Sequence, residues 1–169
     1  MKDILIKSYR FNLAYARELV IDVNEKIMAV SPGKGLENHP AFTIGHLISG
    51  SAMVSDELGG PYEFTEEWES LFRGKGPGDP RIPRTGTGIY PSKDVLLTEL
   101  ERQHRIVEGL ILDLQEERFK EESRWRFDEH FPTLGDMLYF MCITHEAMHL
   151  SQLGAWRRAM GLPSAFARL

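Results

Sequence analysis

Residues 132–163 read "PTLGDMLYFMCITHEAMHLSQLGAWRRAMGLP", and how this stretch folds decides the architecture. Thr133 has the character of a helix N-cap, with Asp136 three residues on at the capping-box position. Leu134, Leu138, Met141, His145, His149, Gln152 and Trp156 recur at steps of three and four, along one side of a helix. Gly161 and Pro163 then close the helix as a C-cap glycine and a following proline do. The spacing predicts one long helix with two histidines on its core-facing side.

Working backwards, three more helical segments are expected. Ser92 and Asp94 open one in which Leu97, Leu100, His104, Val107, Ile111 and Leu114 make a bundle-packing stripe. Pro40, with Asn38 or His39 as cap, opens another that runs to about Leu58 and stops at "GG". The first runs from about Ile4 to Met28 along Leu13, Ala16, Val20, Val23 and Ile27. Residues 59–91 are rich in Gly and Pro and read as a long loop, with a helical turn or two at "TEEWESLF". No β-alternation, internal repeat or low-complexity tract is found. The expected fold is all-α: an up-down four-helix bundle in a single domain, 1–169, with a long connection between helices two and three.

Composition narrows the function classes. Apolar residues make up 42% and charged residues 27%, a globular balance. The net charge of −5, with no basic tail, argues against a general nucleic-acid or anionic-membrane partner. No apolar run is long enough to span a bilayer, and "MKDILIKSYRFN" lacks a signal-peptide core. One cysteine, Cys142, excludes an internal disulfide, and a cytoplasmic setting is expected.

"THEAMH" spells the His-Glu-x-x-His of zinc proteases. Such proteases take a third ligand, usually from downstream. The residues after His149 contain no Glu, Asp or His; Gln152 and Ala155 stand where the extended pattern has Gly and His. No sheet is expected to hold a peptide, so the protease reading is set aside. His145 and His149, four apart, share a helix face and could share a metal ion. Any third ligand must come from upstream. His46 lies on an inward face of the second helix, where Gly45, Ser49 and Gly50 would leave room for a metal and a substrate. His104, alone on an apolar stripe, reads first as a satisfied core residue. His39 and His130 stand at or before helix starts, where capping or exposure accounts for them. Cys142 reads as a small core residue. Trp156 and Met148 read as core or dimer-surface residues. Arg157 and Arg158 complement the helix C-terminus.

"HPAFTIGHLISGSAM", "WESLFRGKGPGDPRIPRTGTGIYPSKDVLLTEL" and "PTLGDMLYFMCITHEAMHLSQLGAWRRAMGLP" together resemble the DinB-like, or DinB/YfiT-like, superfamily, in order and over nearly the whole chain. The chain departs from the pattern where relatives often carry Trp before "GHL"; here Phe42 and Thr43 stand nearby. The resemblance implies a four-helix bundle, often a homodimer, with His46, His145 and His149 as ligands of a metal, the set that the helical faces favour as well. It also implies activities that range from transferases using a low-molecular-weight thiol, through iron-dependent sulfur chemistry, to members without an assigned one. Three imidazoles suit Zn, Ni, Fe or Mn and leave a position open. The expected function is a metal-dependent enzyme that activates a small thiol against a small-molecule substrate. A hydrolase using metal-bound water, or a stress-related module with a structural metal, is the alternative. For hydrolysis Glu146 is the candidate base, though it lies about 100° from His145 and about 60° from His149 on the helical wheel. Gln152, nearly in line with His145, is a candidate to orient a ligand.

Overall fold

In the computed structural model, which describes residues 2–73 and 82–169, all regular elements among the described residues are helical. Four helical rods form the bundle. They are α1 (Lys2–Val20), α2 (Pro40–Glu57), α4 (Lys93–Asp113) and the rod made by α5 (Leu134–Tyr139), a π-helical turn (Phe140–His145) and α6 (Glu146–Ala159). The short α3 (Glu66–Phe72) sits in the α2–α4 connection. Residues 74–81, part of the expected loop, lie outside the described residues.

The caps explain the boundaries. The His39 ring accepts the Phe42 amide at the start of α2, and Pro40 follows at its first position. Thr65 caps α3 and Ser92 caps α4. Thr133 and Asp136 form the full capping box. Gly161 takes a φ of 71°, the left-handed C-cap conformation. Helix α1 is shorter than its periodicity predicts: it ends at Val20, and residues 25–27 form a separate 3-10 turn capped by Asn24. Val23 is buried all the same, so the apolar pattern continues although the helix does not.

Each rod packs on two neighbours, in the ring order α1, α4, α2, α6. Arg10 pairs with Glu108 and Arg17 with Glu101, so α1 and α4 are antiparallel. Asn12 meets Cys142, and Arg157 reaches Leu19, so α1 and α6 run the same way. Asn38 meets Gln152, and Gly50 meets His145, so α2 runs against α6. The expected helical bundle thus has two rods in each direction, but in the order up-down-down-up rather than strictly alternating, since α2 and α4 are parallel. That is why the connection between them is long: it must carry the chain back along a helix of 18 residues, about 27 Å.

The connection is pinned midway by aromatic packing. Phe72 is fully buried, packed edge-on with Trp68 (5.4 Å) and tilted against Tyr90 (5.7 Å). Its ring fills the space beside Gly45, where a Cβ would lie 2.1 Å from it. Gly45 and Gly50 therefore do not leave room for a substrate as the sequence led us to expect. The first is covered by Phe72 and the second by the ring of His145.

Candidate metal centre

The π-helical turn sets which side chains reach the site. In an unbroken α-helix, Arg157 would stand about 100° around from Leu138. The extra residue of a π turn sets the face back by one position. Leu138, Cys142, Glu146, Leu150, Leu153 and Arg157 accordingly all face the interior. His145 and His149 move to the flank that meets α2, partly buried rather than central. The helical wheel, drawn without that residue, placed the histidines on the core line and Glu146 off it. The structure reverses the two.

His46 meets the pair from α2. Its ring centroid lies 5.3 Å from that of His145 and 4.5 Å from that of His149, and the latter two are 4.7 Å apart. One ring nitrogen from each lies within 4.8 Å of the other two. The Nδ1–H of His46 donates to the Phe72 carbonyl oxygen at 3.0 Å, which fixes the tautomer and leaves Nε2 as a lone pair. His145 Nε2 stands 3.3 Å from that nitrogen. Two nitrogens held at about 2.05 Å by one tetrahedral ion would be about 3.3 Å apart. Nδ1 of His149 is buried without a hydrogen-bond partner among the described residues. An orphaned buried nitrogen is costly, and a cation is one way to satisfy it. The donor set therefore fits a divalent metal.

The electrostatics agree. Burial, with His46 and Arg126 nearby, pushes the His145 imidazole down to about 4. Burial, with His46 and His145 alongside, pushes His149 down to about 3. Burial also lowers His46, partly offset by its bond to Phe72. All three rings are neutral at neutral pH, the form that a metal takes.

Among the described residues, no Cys, Asp or Glu joins this group, and His104 stays outside it. Cys142 is 1% exposed in the core, its thiol pushed well up by burial. Glu146 is 3% exposed and is not part of the three-histidine group. Its Oε1 lies 2.9 Å from Nε2 of His104, which stacks on Tyr9 at 3.8 Å. Tyr9 in turn shares a hydrogen bond of 2.8 Å with Ser51. These residues knot the four rods together at the bundle centre. Sequence reading missed Tyr9, Asn12 and Ser51; the signal was Asn12, a polar residue on the stripe of Leu5, Tyr9 and Ala16. Gln152 is exposed one turn beyond His149 and accepts from Asn38 at 2.9 Å. His39 is spoken for by its cap and by the Arg84 carbonyl. Trp156 is core, and Arg157 is buried between the Leu19 and Pro163 carbonyls and the Asp22 carboxylate.

Fold and site together define a helical bundle carrying a cluster of three neutral histidines from two of its rods. The chain belongs to the DinB superfamily, whose family model matches residues 9–153, a span that includes all three histidines. Neither a curated protein nor a solved structure matches the chain. No helix among the described residues is long and apolar enough to cross a membrane.

Proposed function

We infer that His46, His145 and His149 bind one divalent metal ion, and that the centre activates a small thiol for transfer to an electrophile. The observation that carries the metal reading is the convergence of three neutral ring nitrogens within 4.8 Å, one fixed as a lone pair by the Phe72 carbonyl. A divalent ion bound there would leave a position open beside the three imidazoles and lower the pKa of a thiol or a water occupying it. The absence of a fourth protein donor among the described residues favours a reactive centre over a closed structural one.

The choice of thiol over water rests on Glu146. Its carboxyl, the candidate base, is committed to His104 in the interior. A thiol, with an ordinary pKa near 8.5, ionises without a base from the chain, whereas water starts far higher. In the transfer, the sulfur forms the new bond, the electrophile's leaving group departs with the bonding pair, and the thiol proton passes to solvent. The chain's part is to hold His46 through Phe72, and to place Gln152 and Asn38 at the exposed side of His149.

The test is spectroscopic and chemical. Cobalt(II) protein titrated with low-molecular-weight thiols should show a sulfur-to-metal charge-transfer band and support conjugation of an electrophile. If thiols leave the spectrum unchanged while an ester or amide is hydrolysed, the thiol reading fails and the metal reading stands.

A further inference from the structure

The π-helical turn, Phe140–His145, places both histidines of the rod, and a side chain from another helix engages it. Asn12 of α1 is buried, and its Nδ2 donates to the carbonyls of Cys142 at 3.1 Å and Ile143 at 3.3 Å. A π turn widens the helix and shifts its bonding from i+4 to i+5, leaving carbonyls within it open to outside donors. At a helix interior such groups cannot turn to water, so a partner must come from the fold. The Ile143 carbonyl also accepts the Glu146 backbone N–H, so the contact that matters most is the shorter one, to the Cys142 carbonyl, to which no side chain of the rod itself is seen donating. We propose that Asn12 is a positioning residue for the metal centre: it locks the π turn, and the locked turn holds His145 and His149 against His46. This rests on the three-histidine metal reading above.

With the turn in place, the apolar faces of α5 and α6 both meet the core, and the two histidines lie on the α2 flank. If the turn relaxed to α-helix with the same residues, everything on one side of it would rotate by about 100°. Glu146 would leave His104, and the histidines would leave His46. His145 also packs its ring against Gly50 of α2, with Cε1 only 3.3 Å from where a Cβ would be, so little rotation is tolerated.

A turn that exists because of one extra residue can be removed by deleting one. Deletion of Thr144, which is exposed, should give an unbroken α-helix that keeps every face where it is. In that background Asn12 would have no such turn to hold. Three proteins are compared with the wild type by competition for zinc(II) and by the visible spectrum of the cobalt(II) form: Asn12→Leu, deletion of Thr144, and the two combined. We expect Asn12→Leu to weaken zinc binding about 10-fold or more and to alter the cobalt spectrum. The deletion should bind like the wild type, and the combined protein should bind within about 3-fold of the deletion. Asn12→Ala, which removes the donor and adds no charge beside the buried Glu146, is expected to follow Asn12→Leu. Amide exchange of the metal-free protein should also speed up across residues 140–146 in Asn12→Leu and not elsewhere in α6. Overturning results are a lower melting temperature with zinc affinity and spectrum unchanged, or an equal loss on adding Asn12→Leu to the deletion. If the deletion protein does not fold, the single substitutions decide alone. A wild type that binds no zinc would instead refute the metal reading itself.

Discussion

His46 is the best-constrained of the three histidines: its ring is tied through Nδ1 to the Phe72 carbonyl, and Phe72 occupies the notch at Gly45. Gly45→Ala would put a methyl group 2.1 Å from the Phe72 ring. We expect a loss of about 2 kcal/mol or more in urea unfolding from overpacking, together with weaker metal binding. Gly154→Ala, whose added Cβ meets nothing closer than 3.5 Å, should be neutral by both measures. The lowered pKa values carry a second prediction. In the metal-free protein the three rings titrate below their ordinary 6.5, His145 at about 4 and His149 at about 3. Below pH 6.5 the unfolded chain therefore binds more protons than the folded one. Stability from this source is complete above pH 6.5 and falls as pH drops towards 4, by up to about 1.4 kcal/mol per pH unit for each ring. Urea unfolding at pH 7.5, 6 and 5 should show that slope, and His149→Ala should reduce it. Carboxylates held low by partners, such as Asp22 beside Arg157, add to the loss further down.

Among elements, the sequence signalled caps more clearly than faces. The Thr133–Asp136 box, His39 with Pro40, and Ser92 marked helix starts that the structure keeps, because each is a local side-chain-to-backbone bond. The end of α1 was hidden because Val23 stays buried after the helix stops, in turns held by Asp22 and Asn24. The π turn was hidden for a related reason: one extra residue leaves a plausible three-and-four spacing on both wrong and right faces. It was that residue which exchanged Glu146 with the histidines. Arg157 shows a further limit. It read as a cation complementing a helix C-terminus, yet it joins α1 to the chain after α6 through Leu19, Asp22 and Pro163. Arg157→Ala should cost about 1–3 kcal/mol, since it strands the Leu19 and Pro163 carbonyls and leaves the partly exposed Asp22 with Arg168 alone. Arg158→Ala, on the exposed side, should stay within about 0.5 kcal/mol in thermal or urea unfolding.

At the scale of the molecule, the helical class and the long second connection were legible from periodicity, caps and the Gly- and Pro-rich tract. The parallel course of α2 and α4 was not, since it depends on which faces meet across the bundle. The gathering of His46 with His145 and His149 was anticipated from inward faces and from resemblance. Its closest control, the Phe72 carbonyl, is a backbone atom with no sequence signature. The central claim is that this cluster holds a metal, and direct metal analysis of protein purified without an immobilised-metal column tests it. The account predicts about one divalent ion per chain in the wild type, and close to none in His46→Ala, His145→Ala or His149→Ala at matched folding. A wild type that comes out metal-free, and stays so after dialysis against zinc(II), nickel(II), iron(II) and manganese(II), would contradict it.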